Sequence, residues 1–219
     1  MLRAHTLTLT AVLAVFASST GGAATILTAT LTTSQENPPT NPTTSGGAPR
    51  PTPFGTATFS LNDAQTALTF FATISNIDFT GSQTADFNDN LIAAHIHAAA
   101  TVTPTTNGPV VWGFFGLPFN DTNSPTPGND CTPFASGVGG TCTGTWDATE
   151  GNGAGVTLTT QLPFILGGHS YINFHTTQFG GGEIRGNIQV VPEPSTVGLI
   201  GLAVIGLIGL GCRRLDSRD

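Results

Sequence analysis

Three histidines carry the first chemical possibility in this sequence. His95 and His97 stand one residue apart in "LIAAHIHA", Leu91–Ala98, and His175 lies near the end of "SYINFHT", Ser170–Thr176. On an extended strand, side chains two apart share a face at a spacing of about 6.6 Å. Imidazole nitrogens suit zinc and copper, and a His-x-His pair with a remote third histidine is an adequate ligand set for either. Two readings follow. The first expectation is that the rings lie on the wet, polar side of their strands. The alternative is that His95, His97 and His175 converge on one Zn or Cu ion, with redox or hydrolytic use. Convergence requires the strands that carry them to be neighbours.

Other chemistry is thinner. No Gly-x-Ser-x-Gly elbow offers a nucleophile, and no carboxylate pair stands at a telling spacing. A non-enzymatic binding or structural role is therefore the leading expectation. Asp86, Asn88 and Asp89 in "DFNDN" present oxygens that suit Ca²⁺, which opens the alternative of a Ca-stabilised adhesive module. That stretch lacks the glycine and terminal glutamate of an EF-hand loop and reads first as a polar turn. Cys131 and Cys142, in "CTPFASGVGGTC", are expected to form a disulfide. The bridge closes a short loop and contributes about 3 kcal/mol by chain entropy. Cys212 is not expected to join them.

The elements that position these residues read as strands. Charged residues make up 9% of the 219 positions, and lysine is absent. Thr, Ser, Asn and Gly supply the polarity, while Val, Ile, Phe and Thr carry the strand tendency. Period-two alternation predicts strands over residues 25–32, 55–61, 68–77, 91–98, 109–115, 143–146, 156–162, 170–176 and 183–190. The proline-rich stretch Asn37–Pro53 and the segment Gly116–Asp130 read as loops. In the two histidine strands and in the strand over 183–190 one face is apolar: Ile92, Ala94, Ile96 and Ala98, then Ile172 and Phe174, then Ile184, Ile188 and Val190. Tyr171, Asn173, Glu183 and Arg185 share the opposite face with the histidines, and Glu183 and Arg185 stand close enough along it to pair. An all-β body is expected, an immunoglobulin-like β-sandwich or barrel. Between residues 25 and 191 only Arg50 and Arg185 are basic, against ten acidic residues. That balance excludes a nucleic-acid partner, which needs clustered Lys and Arg.

The two ends read as addresses. Arg3, the apolar stretch Leu7–Ala17 and the small residues up to Ala24 have the order of a secretory signal peptide over 1–24. The body occupies 25–190, and a tail follows over 191–219. From Val197 to Cys212 every residue is apolar or glycine. A helix over about 195–212 spans about 27 Å, enough to cross a hydrocarbon core. Arg213 and Arg214 then stop it on the cytoplasmic side.

Pro192-Glu193-Pro194, the glycine-rich apolar span and the arginine pair together resemble the PEP-CTERM sorting signal of Gram-negative bacteria. The resemblance implies an exosortase and the secretion machinery as partners and Pro192-Glu193-Pro194 as the processing motif. It also implies a precursor held in the membrane by its C-terminal helix before release to the cell surface or matrix, where exopolysaccharide and other envelope components are the expected surroundings. The body resembles the CHRD domain through "LTTSQENPPT", Gly55 opening "GTATFSL", "AAHIHAAA", Asn107–Val111 and "GGHSYINFHTTQFGGGEIRGNI". Ala98 stands where that family usually has glycine, and Gly116–Thr145 is longer than its norm. The resemblance implies an immunoglobulin-like β fold and no established reaction. His95-Ile96-His97 is also faintly similar to the copper-ligand strand of Cu/Zn superoxide dismutases.

Overall fold

In strand β1 (Thr25–Thr32), Leu27, Ala29 and Leu31 are buried while Ile26, Thr28 and Thr30 between them are exposed. That alternation is what an extended chain gives when one face sits on a core. It repeats in β2 (Phe54–Leu61) and β3 (Ala67–Ser75), which bury Ala57, Phe59, Leu61, Leu68, Phe70, Ala72 and Ile74. The computed structural model describes residues 24–123 and 131–192. The expected leader up to residue 23, the membrane helix about 195–212, and Glu193, Pro194, Arg213 and Arg214 lie outside the described residues. Pro192 lies within them and is exposed. Among the described residues no helix is long and apolar enough to cross a membrane.

The remaining strands are β4 (Leu91–Ala98), β5 (Val110–Phe115), β6 (Cys131–Pro133), β7 (Gly139–Asp147), β8 (Ser170–Thr176), β9 (Ile184–Asn187) and β10 (Gln189–Val190). All join one antiparallel sheet in the order β5-β4-β8-β9-β1-β2-β3-β7-β6, with β10 beside β1. Instead of two facing sandwich layers, this single sheet curls into a nearly closed barrel. Its two halves meet through aromatic rings. Phe70 of β3 packs on Phe114 of β5 with ring centres 4.5 Å apart, and Trp112 of β5 stacks on Trp146 of β7 at 5.6 Å. The free edge of β5 is not left bare. Gly113 O accepts from Asn120 N and Asp121 N, and Val111 O accepts from Asn152 N. Asp121 in turn accepts from Thr145 N of β7, so the segment after β5 bridges the seam. Covering an edge in this way denies it to other chains.

Residues 156–162 are a correction. A strand was expected there, and the chain instead forms helix α1 (Leu158–Leu166). Thr157 caps it by accepting from Thr160 N, and the Thr160 hydroxyl returns a bond from Thr157 N, a reciprocal capping box. Leu158, Leu162 and Ile165 fall on one helical face and bury against the core. Cys131 and Cys142 are disulfide-bonded across the β6–β7 pair.

The outside of the β1-β2-β3-β7-β6 half is mostly hydroxyl-bearing, with Ile26, Phe54 and Phe71 exposed among the threonines. One transverse row runs Thr30, Thr56, Thr73, Thr141, Thr132, and the next runs Thr28, Thr58, Phe71, Thr143. No charged side chain stands in either row.

Candidate metal centre

The other half of the barrel is built differently, because both of its faces are covered. In β4 only Ile92 is exposed, and in β8 every residue is buried. The face bearing His95, His97, Tyr171, Asn173, His175, Glu183 and Arg185 was expected to be wet. It is dry instead: the three histidines are 4, 7 and 6% exposed, and Glu183 and Arg185 are fully buried. The cause is the loops. Residues 99–109, 116–118 and 177–183 fold back over the polar face and form a second layer outside the barrel wall. Alternation in sequence separates two faces; it does not reveal what covers each.

β4 and β8 are neighbours, with His95 opposite Asn173 and His97 opposite Tyr171. His175 pairs with Ala93 one step further along, so its ring reaches diagonally toward His95. Register shifts between β4 and β5 at Ala94/His95 and at Ile96/His97 adjust how β4 sits against β5 at these positions. The result is a group in which one nitrogen from each of His95, His97 and His175 lies within 4.8 Å of the others. The tightest approach in the hydrogen-bond geometry is His95 Nδ1 to His175 Nε2, at 3.2 Å.

Each ring has a backbone carbonyl at its outer nitrogen. His95 Nε2 lies 3.1 Å from Leu117 O, His97 Nδ1 2.9 Å from Gly108 O, and His175 Nδ1 3.1 Å from Gly180 O. A carbonyl oxygen only accepts, so in the tautomer that serves all three carbonyls each of these nitrogens carries the hydrogen. In a neutral ring the remaining nitrogen is then a bare lone pair. His95 Nδ1, His97 Nε2 and His175 Nε2 are therefore three lone pairs in one buried place. His97 Nε2 has no hydrogen-bond partner. A backbone carbonyl behind each ring is the arrangement that orients imidazoles toward a metal.

Protonation does not relieve this crowding at neutral pH. Burial pushes His97 down to about 3 and His95 to about 4, and it lowers His175 as well. The neighbouring His175 adds to the shift at His95. On a tetrahedral ion at about 2.05 Å, two nitrogens stand about 3.3 Å apart. The 3.2 Å pair already matches that span, and the widest separation, 4.8 Å, would have to close by about 1.5 Å for all three to share an ion.

Around the histidines the polar layer is latched by charge and stacking. Arg185 lies 3.7 Å over the Tyr171 ring, which itself stacks on His97 at 4.6 Å. Glu183 does not pair with Arg185. It forms a buried ion pair with Arg50, from the proline-rich loop, and accepts from Thr176 Oγ1 at 2.5 Å. Two glycines make the approach possible. A Cβ on Gly113 would stand 1.9 Å from Pro118 O and 2.9 Å from the His95 ring, and one on Gly182 would strike Asn173. Reading the sequence alone missed the roles of Arg50, Leu117, Gly108 and Gly180, because carbonyl partners and long-range ion pairs leave no spacing signal.

Asp86, Asn88 and Asp89 form a stapled turn. Asp86 accepts from Asn88 N and Ser45 N, and Asp89 accepts from Thr84 Oγ1. Among the described residues the three histidines are the group placed to share a metal.

The family model of the CHRD domain matches residues 27–188, close to three quarters of the chain. The chain belongs to the CHRD domain family. In this CHRD protein the model of the PEP-CTERM protein-sorting motif matches residues 190–214, immediately after the barrel. The motif implies export and processing by an exosortase in a Gram-negative bacterium. No curated protein and no solved structure matches the chain.

Proposed function

We propose that this CHRD protein is an exported cell-surface or matrix module whose barrel binds one zinc or copper ion through His95, His97 and His175. Its role is binding or structural rather than catalytic, and envelope or exopolysaccharide components are its surroundings. One observation carries the reading: three imidazoles turned toward one another, each with a carbonyl behind its ring, in a place too dry to favour protonation. Two neutral nitrogens at 3.2 Å with no hydrogen between them repel, and a divalent cation turns that repulsion into attraction. Imidazole is the ligand type that zinc and copper favour.

The test is elemental analysis of the purified full-length chain after exposure to Zn²⁺ and Cu²⁺ and removal of loosely held ions. One equivalent is expected in the native chain, with loss in both His95→Ala and His175→Ala. A native chain that keeps neither metal overturns the reading.

A further inference from the structure

Three histidines supply three neutral donors, and no carboxylate or thiolate joins their group among the described residues. Structural zinc sites close with four protein ligands, whereas a set of three leaves a coordination position for an outside ligand. The charge around that position is one-sided. Arg185 is fully buried, yet its guanidinium meets neutral oxygens alone. Nη1 donates to Thr106 O at 3.0 Å and Asn107 Oδ1 at 3.2 Å, and Nη2 to Thr103 O at 2.6 Å and Asn187 Oδ1 at 3.0 Å. The ion pair among the described residues, Arg50–Glu183, is internally balanced and contributes no spare negative charge. Glu36 is the acid whose charge reaches Arg185, and burial pushes its carboxyl up to about 7, so it is only part-ionised at neutral pH. A dication one aromatic ring away from this guanidinium, with Tyr171 between them, would add a second positive charge to a water-poor layer, which is costly unless an anion accompanies it.

We infer that the metal ion keeps an open position that takes a small anion, hydroxide or an inorganic anion of similar size, drawn there by the ion and by Arg185. This rests on the metal reading above. The Arg185–Tyr171–His97 stack is then the link between anion and ligand set: the guanidinium sits on the ring that packs against one of the three imidazoles. The anion offsets both charges at once, while the neutral acceptors around Arg185 hold the guanidinium without neutralising it.

The experiment loads the purified full-length chain with Cu²⁺, confirms one equivalent by elemental analysis, and titrates it with sodium azide. A new azide-to-copper absorption band that saturates at millimolar azide, with a matching change in the copper EPR spectrum, is expected. In Arg185→Gln, at equal copper content, azide binds about tenfold more weakly. A copper-loaded native chain whose spectra ignore azide overturns the inference and leaves the metal reading standing. A chain that retains no copper overturns both, and the elemental measurement separates that outcome. Equal azide affinity in Arg185→Gln overturns the part assigned to Arg185, and if that variant does not fold, the native titration still decides the open position.

Discussion

His95 Nδ1 and His175 Nε2 face each other across the β4–β8 pair at 3.2 Å, and in the tautomer that serves the carbonyl behind each ring neither nitrogen carries a hydrogen to share. The two residues are 80 positions apart in sequence. A contact of this kind is unfavourable in the metal-free barrel and favourable around a cation. The fold holds it in place by covering both faces of the two strands.

Replacing one ligand separates affinity from stability. His175→Ala should weaken Zn²⁺ or Cu²⁺ binding by at least about a hundredfold. The metal-free protein should lose only about 1 kcal/mol, since lost packing is partly offset by removal of the opposed lone pair. A chelator-competition titration and a urea unfolding curve read the two quantities. Unchanged metal affinity would show that His175 is not a ligand.

Acid should expose the buried rings in the metal-free protein. His97 is held at about 3 when folded, against 6.5 for a free side chain. The unfolded chain takes up the proton first as pH falls below about 6.5, so this ring's contribution to stability is full at neutral pH and declines until the folded value is reached. Glu36, raised to about 7 from 4.5, works the other way: its contribution is full below 4.5 and fades as pH rises through 7. Comparing His97→Phe with the native chain isolates the histidine. Between pH 6 and 4 the variant should gain on the native protein by about 1.4 kcal/mol per pH unit. Parallel pH–stability curves would sink the assignment of a low His97 value.

Gly113→Ala tests whether the covering loop positions the site. The added methyl would meet Pro118 O and the His95 ring, so the 116–118 segment must shift and carry Leu117 O away from His95. A loss of about 2 kcal/mol in unfolding free energy and about tenfold in metal affinity is expected. Native affinity in this variant would mean that Leu117 does not set the His95 tautomer.

Arg50 anchors the proline-rich loop to the same layer. Arg50→Ala leaves Glu183 buried without its partner and should cost about 3 kcal/mol in a denaturant titration. Combining it with Glu183→Gln should recover part of that loss. A single-variant cost near zero would mean that the pair is more hydrated than its burial implies.

Much of the frame was legible from alternation. The strands over 25–32, 91–98 and 170–176 match in both position and length, because a chain with one apolar face and flanking turn residues has few other options. Helix α1 was misread because Val156, Leu158 and the intervening threonines mimic period two at its start. The spacing of Leu158, Leu162 and Ile165, with Thr157 and Thr160 as a cap, was the available helical signal. The histidine group was legible as a set of residues and illegible as an environment. Its burial depends on loops that return from positions 99–109, 116–118 and 177–183, and its orientation on three carbonyls that any residue type supplies. Glu183 and Arg185 share a face in sequence, yet each is served by a distant loop, Arg50 for one and Thr103–Asn107 for the other.

The hydroxyl rows on the far half of the barrel, from Thr30 across to Thr132 and from Thr28 across to Thr143, have a consequence for life outside the cell. Two molecules meeting on that side neither attract nor repel through charge, so dissolved ions have little leverage over the encounter. Crowded copies would meet there through bound water and the exposed rings of Phe54 and Phe71, in dilute and in briny surroundings alike.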